Sequence, residues 1–260
     1  MPEGDTILWA ATRMRPVLEG NAVEVTHTHR RFAKDRWEER LSGQVVERIG
    51  TYGKNLLIHF DNGVLLHSHL RMTGAWDVRP VGGRWRRAPS RAWLVLRAGG
   101  QEVVQFDGPV LELMTEGRRR FDQRLSSLGP DILAAPEFDE DRYLIRLRAA
   151  VPAMTIGEAL LNQRILAGIG NVWKAEGCWE AAIDPWRRIG SLSDEEARRI
   201  VRLTRPRMLV SGTQGPRSDT RALVYRRVGR PCPRCGTPIR MRSQGDDENR
   251  TTYWCPGCQH

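Results

Sequence analysis

The chain has 260 residues, 40% of them hydrophobic and 28% charged, and a formal net charge of +10. That length is enough to bury a sizeable core, and the composition is that of an ordinary globular protein, which excludes disordered and fibrous classes. No apolar run approaches the ~18–20 residues of a membrane span, and the start lacks a basic stretch followed by an apolar core, so no membrane partner, no export signal and a cytoplasmic location are expected.

The surplus charge is unevenly placed. Residues 198–260 hold 14 Lys+Arg and 4 Asp+Glu, a surplus of 10, whereas residues 1–197 hold 27 of each. A basic C-terminal segment fits a phosphate-binding surface, although charge alone serves a solvated face equally well. Only three of the 41 basic residues are lysine: Lys34, Lys54 and Lys174. An amine shifts its pKa readily and a guanidinium does not, so each retained lysine is a candidate for chemistry.

In chain order, Ile7, Ala11, Met14 and Leu18 recur at helical spacing and predict a helix from about Asp5 to Glu19. Strand-like runs follow at Val45–Ile49, Leu56–Phe60, Val64–Leu70, Trp93–Leu96 and Val103–Phe106, with Asp61-Asn62-Gly63 as a hairpin signal between the second and third. Several short strands at close intervals predict a β-sandwich. His67 and His69 lie on one side of their strand without an evident third metal ligand, which favours a packed pair. The period then changes, and residues 139–149, 156–167, 171–182 and 194–210 read as helices. Thr155 with Glu158, and Ser193 with Glu196, form capping boxes. A basic strand is expected around Tyr225, after a short connection from the last long helix. The fold class is α+β: residues 1–130 form a sandwich with an opening helix, 131–228 a helical domain, and 229–260 a metal-stapled ribbon.

Cys232, Cys235, Cys255 and Cys258 are spaced C-x2-C-x19-C-x2-C, with Pro233, Gly236, Pro256 and Gly257 bending each pair. Two such pairs place four thiolates around one ion, and four sulfur ligands make a closed, structural zinc site rather than a catalytic one. The other use of these sulfurs is two disulfides, which a reducing compartment disfavours. Cys178 falls within a helical pattern and reads as a small buried hydrophobe. Trp254, in the ribbon, is the tryptophan worth testing as a base-stacking platform.

Residues 156–166, Ala167-Gly168-Ile169-Gly170-Asn171 and residues 172–182 read as helix, tight turn and helix. Gly168 and Gly170 permit a sharp turn and close approach of a ligand, Asn171 is placed to cap the second helix, and the free N–H groups there suit a DNA phosphate. An ordinary helical hairpin shares this pattern.

Three separated segments then converge. The chain opens Met1-Pro2-Glu3-Gly4-Asp5-Thr6, holds Gly53-Lys54 before a strand, and carries Leu160-Leu161-Asn162-Gln163 ahead of Gly168-Ile169-Gly170-Asn171. It closes Tyr253-Trp254-Cys255-Pro256-Gly257-Cys258-Gln259-His260. This set resembles the formamidopyrimidine-DNA glycosylase / endonuclease VIII family along the whole chain, and its end is closer to the endonuclease VIII branch. The resemblance implies a bacterial base-excision-repair enzyme with a helix–two-turn–helix domain and a zinc finger. It implies a glycosylase and abasic-site lyase that acts on damaged DNA, as a monomer, through the N-terminal proline.

By position, the resemblance makes Pro2 the nucleophile after loss of Met1, Glu3 the acid that acts on the sugar, and Lys54 a phosphate-binding catalytic lysine. It places Asn171 and Arg250 on the DNA backbone. Arg71 and Met72 fall where the family inserts residues beside an extruded base. Glu176 matches a family acid of less certain role. Phe106-Asp107-Gly108-Pro109-Val110-Leu111 stands where the guanine-oxidation branch carries Asp-Pro-Arg-Arg-Phe, which points to oxidised pyrimidines. Thr6 departs from the endonuclease VIII branch, where a second acid often sits. A non-catalytic zinc-ribbon DNA-binding protein would keep the cysteines but has no need of Pro2, Glu3 or Lys54. A metal-dependent nuclease would need a carboxylate cluster that the sequence lacks.

Overall fold

The computed structural model describes residues 2–215, 222–245 and 250–260. They form two compact units, one of residues 6–126 with the chain start, the other of residues 127–260 together with Glu3–Asp5.

In the first unit α1 (Gly4–Leu18) is followed by β1 (Glu24–Thr28), α2 (Trp37–Leu41) and then β2 (Val46–Tyr52). Next come β3 (Asn55–Phe60), β4 (Val64–His69), β5 (Ala75–Pro80), β6 (Ala92–Ala98), β7 (Gln101–Phe106) and β8 (Val110–Thr115). The strands form two antiparallel sheets, in the orders β1-β6-β7-β5 and β2-β3-β4-β8. Ile7, Ala11, Met14 and Leu18 share one core with Leu56, Ile58, Leu66, Leu94, Leu96 and Val103. The helical spacing of α1 therefore buries one stripe, and period-2 alternation turns the inner faces of both sheets inward. The short helices α3 (Glu116–Phe121) and α4 (Gln123–Ser126) close the unit, and Leu125 covers Leu57, Leu65 and Met114 on the outer face of the second sheet. That cover buries Leu57 on the outward side of β3, while Leu56, Ile58 and Phe60 face the core.

The second unit holds α5 (Glu140–Arg148), α6 (Ile156–Leu161), α7 (Asn171–Glu180), α8 (Asp194–Gln214) and a hairpin of β9 (Arg240–Gln244) with β10 (Arg250–Trp254). Both expected capping boxes form, on α6 and α8. The first of the paired helices stops at Leu161 rather than near residue 167. Beyond it Asn162 Oδ1 accepts from Arg164 N, and Gln163 bonds the Leu161 and Ile169 carbonyls and Gly168 N. Side chains that bond nearby main chain compete with helical hydrogen bonds and turn the chain instead. Ala175 and Trp179 of α7 pack with Val224, Cys232, Ile239 and Cys255, which seats the cysteine ribbon on that helix.

The segment around Tyr225 is a turn, not a strand. Met1, and most of the connection that precedes this turn (216–221), lie outside the described residues. No helix of the described residues is long and apolar enough to cross a membrane.

Candidate active site

Two buried carboxylates organise the second unit. Glu3 is 2% exposed. Its Oε2 accepts from Gly170 N at 2.9 Å and Trp173 N at 3.2 Å, and its Oε1 accepts from Val172 N at 2.8 Å. The first N–H groups of a helix have no partner within it and carry the positive end of its dipole, so the start of α7 is a natural seat for a carboxylate. The N-cap of α7 is Gly170, with no side-chain cap bond, and Asn171 is the first helical residue. This corrects the expectation that Asn171 caps the helix: Glu3 supplies the capping oxygens from far away in the chain. A Cβ on Gly170 would stand 2.4 Å from Glu3 Cδ, so the position has no room for a side chain. Two further bonds fix the chain start, Gly4 N to Gly168 O at 2.9 Å and Ser211 Oγ to Asp5 Oδ2 at 2.6 Å. Pro2, half-buried, directly precedes Glu3.

Glu176, two turns along α7, is also 2% exposed. It accepts three main-chain N–H groups, from Leu223 at 2.8 Å, Val224 at 3.0 Å and Tyr225 at 2.9 Å, and Arg207 lies 3.7 Å away. Its geometry is that of an anchor for residues 223–225.

Asn171 Nδ2 donates to Thr251 O at 2.7 Å, which ties the start of α7 to β10 beside Arg250. Lys174, fully buried, continues this link. Its Nζ donates to Thr252 Oγ1 at 2.5 Å, Thr252 Oγ1 donates to Gln244 Oε1, and Gln244 Nε2 donates to Thr155 Oγ1 and Pro185 O. Burial pushes the Lys174 pKa down to about 8, and Arg250 adds to the fall while Glu3 opposes it. No local pattern in the sequence marks Gln244 or Thr252, and the rarity of lysine is the one signal for Lys174. Trp254 packs edge-on against Trp186 at 5.7 Å.

The four ribbon cysteines bring their sulfurs within 4.8 Å of one another. Cys232 and Cys258 lie 3.8 Å apart and Cys235 and Cys255 3.4 Å apart, too far for disulfide bonds. A tetrahedral ion with metal–sulfur bonds of ~2.3 Å needs sulfur–sulfur edges of roughly 3.8 Å, so the cluster fits a metal ion. Trp179 Nε1 donates to Cys232 Sγ at 3.3 Å, a contact that suits a thiolate. Among the described residues no other group of three or more His, Cys, Asp and Glu side chains has this geometry.

The first unit carries the remaining candidates. Lys54 sits in the two-residue turn between β2 and β3, where Tyr52 pairs with Asn55 and Gly53 adopts φ +57°. Such tight hairpin loops need a residue at positive φ, which glycine supplies without strain. Arg71 and Met72 follow β4; Arg71 has φ +48°, and Met72 is 63% exposed. Arg71 N donates to His69 Nδ1 at 3.2 Å. Burial pushes the His69 pKa down to about 4, helped by the positive charges of Arg71 and Lys54. His69 is thus a neutral acceptor beside two cations. His67 lies between Glu112 and Asn55, so the pair is packed, as its sequence context suggests. The first unit brings Lys54 and Arg71 around His69, and the second brings Glu3, Asn171 and the Arg250 strand around the start of α7.

Residues 1–123 match the model of the formamidopyrimidine-DNA glycosylase N-terminal domain. A Streptomyces coelicolor protein named "Probable endonuclease 8 2" is 39% identical over all of this chain and 94% of its own length. The chain belongs to the formamidopyrimidine-DNA glycosylase / endonuclease VIII family. Within this family of DNA repair enzymes it stands with the endonuclease VIII branch. The DNA-(apurinic or apyrimidinic site) lyase Nei2 of Mycolicibacterium smegmatis is 36% identical over 100% of this chain and 99% of its own. Among solved structures, Lactococcus lactis Fpg in complex with abasic-site DNA superposes with a TM-score of 0.81 at 21% identity, covering 99% of both chains. That likeness establishes the same fold in the α+β chain.

Proposed function

We propose that this enzyme is a bifunctional DNA glycosylase and abasic-site lyase that removes oxidised bases, chiefly pyrimidines, with Pro2 as nucleophile. The observation that carries the reading is the seat of Glu3: a buried carboxylate held by three N–H groups at the start of α7, one residue from an imino nitrogen.

Once Met1 is removed, the Pro2 nitrogen attacks C1′ of the deoxyribose, and the bond from C1′ to the damaged base breaks, its electron pair leaving with the base. Glu3 takes the proton released by the attacking nitrogen and passes it to the ring oxygen, which opens the sugar. The resulting iminium acidifies the C2′ protons. Loss of one of them expels the 3′ phosphate, and a second elimination expels the 5′ phosphate. Covalent amine catalysis divides one hard step into easier ones. Lys54, Asn171 and Arg250 grip the DNA backbone, and Lys54 also adds positive charge near the developing negative charge. Met72, exposed and apolar, fills the stack beside the extruded base with Arg71. Glu176 shapes the loop at 223–225. The four cysteines hold one structural zinc ion, which fixes the Arg250 hairpin and takes no part in the chemistry. The enzyme works as a monomer on DNA in the bacterial cytoplasm.

The preference for pyrimidines rests on the resemblance to the endonuclease VIII branch and on the β7–β8 connection. That connection is Asp107-Gly108-Pro109, with Asp107 bonded to Arg87 and Arg91, and it lacks the Asp-Pro-Arg-Arg-Phe of the guanine-oxidation branch. The test is a panel of duplexes bearing thymine glycol, 5-hydroxyuracil, 8-oxoguanine or an abasic site, with the zinc-loaded enzyme and no divalent metal added. Faster cleavage of the pyrimidine lesions, with products of both eliminations, is expected. Faster cleavage of 8-oxoguanine overturns the substrate class, and no cleavage of any duplex overturns the activity.

A further inference from the structure

The candidate residues account for little of the polar interior of the sandwich. His67, on β4, is buried, and both of its ring nitrogens are engaged. Nε2 lies 2.9 Å from Asn55 Oδ1, and Nδ1 lies 3.0 Å from Glu112 Oε1 on β8. Asn55 is buried as well, and its Nδ2 donates to Tyr52 O at 3.0 Å. That bond fixes the orientation of the amide: nitrogen toward Tyr52, oxygen toward His67. Nε2 therefore carries the hydrogen. Glu112 is itself braced by the Arg124 guanidinium at 2.6 Å, with Arg118 at 3.9 Å.

His67 Nε2 to Asn55 Oδ1 and Asn55 Nδ2 to Tyr52 O form one line, and it ends at the two residues that flank Gly53 and Lys54, with Glu112 and Arg124 beside the other ring nitrogen. The pairing of Tyr52 with Asn55 closes this two-residue turn. A buried donor aimed at the side chain of the closing residue removes the freedom this turn would have at its outer end. His67 and Asn55 are buried on adjacent strands, so the line transmits the placement of the sheet rather than of a flexible surface loop.

We propose that His67 is a positioning residue for Lys54, acting through Asn55. The inference rests on the reading of Lys54 as a phosphate-binding catalytic lysine.

A double-mutant cycle on the full chain tests it, read as the single-turnover rate of strand cleavage at an abasic site with saturating enzyme. His67→Leu is expected to slow cleavage about tenfold, and in the Lys54→Leu background the same change is expected to have no further effect, which is coupling within the range for residues acting on one another. His67→Gln keeps an N–H for Asn55 and is expected to stay within about threefold of the parent. Equal losses in both backgrounds overturn the proposal, because a general loss of structure is additive. A Lys54→Leu rate equal to the parent rejects the role of Lys54 instead. Hydrogen exchange then decides the geometry independently. His67→Leu, or His67→Gln if the leucine variant does not fold, is compared with the parent. Faster exchange confined to the amides of residues 52–55 supports the clamp, and unchanged or uniformly faster exchange overturns it.

Discussion

Glu3 and Glu176 both use α7, and both are carboxylates shut away from water that accept three main-chain N–H groups. They differ in which side is prepared in advance. Glu3 comes to donors that any helix start leaves free, so the helix offers the site and the chain start fills it. Glu176 sits mid-helix and gathers the N–H groups of three consecutive residues, so the carboxylate offers the site and a loop wraps onto it. In the proposed mechanism, equal burial and equal bonding serve a reacting group in one case and a scaffold in the other. Burial and hydrogen-bond counts alone do not separate the two; the neighbouring imino nitrogen of Pro2 does.

That contrast breaks most sharply under paired substitutions. Glu3→Gln keeps the shape and much of the hydrogen bonding but cannot carry a proton between Pro2 and the sugar. Its single-turnover rate on an abasic duplex is expected to fall by about 10²–10⁴. Glu176→Gln is expected to stay within about tenfold in rate. Its cost should appear in denaturant unfolding, with Glu176→Ala losing about 3 kcal/mol because three donors are left without an acceptor. If the two glutamine variants lose rate equally, both carboxylates do the same job and the distinction fails.

Gly170→Ala sharpens the same comparison from the helix side. The new Cβ would meet the Glu3 carboxyl group at 2.4 Å. Displacing Glu3 costs stability by about 1–3 kcal/mol and lowers the cleavage rate in parallel, while leaving the loop at Glu176 undisturbed. Proteolysis within residues 222–228 reads the loop; accelerated nicking there in Gly170→Ala would show that the two carboxylates are not independent.

The smallest expected effect concerns Lys174, which lies between them on α7. Its pKa is pushed down to about 8 by burial, against an ordinary value of 10.5. Between these values the unfolded chain binds a proton that the folded chain has released. Stability from this group therefore rises with pH from 8 to 10.5, and the burial penalty is fully present below 8. The thermal midpoint of the parent should gain on that of Lys174→Met as pH is raised from 7 to 9.5, and a constant difference would contradict the shift.

What the sequence disclosed follows the range of the forces involved. The capping boxes, the Asp61-Asn62-Gly63 hairpin and the cysteine spacing are local devices, and all of them form in the structure. Partners far apart in sequence account for the misses. β5 contains Asp77, buried because Arg13 and Arg79 bond it, so its pattern does not read as a strand. β9 and β10 are polar and basic, held by the Lys174–Thr252–Gln244 chain and the cysteine cluster instead of by alternating apolar residues. Tyr225 has a strand former's composition around it. Yet the N–H groups of Leu223, Val224 and Tyr225 all converge on one carboxylate, whereas successive N–H groups of a strand point to opposite sides. Glu3 displaced Asn171 as the cap of α7 for the same reason, from a position no local pattern reveals.

The central claim is that the imino nitrogen of Pro2 forms the covalent link to DNA. Borohydride reduction during turnover on an abasic duplex with no divalent metal added, followed by digestion and mass spectrometry of the cross-linked peptide, tests it most directly. The adduct is predicted on an N-terminal peptide that begins with Pro2, and absent from Pro2→Ala chains that keep Met1. An adduct on Lys54, Lys174 or any other amine, or cleavage with no trapped adduct, would contradict the account.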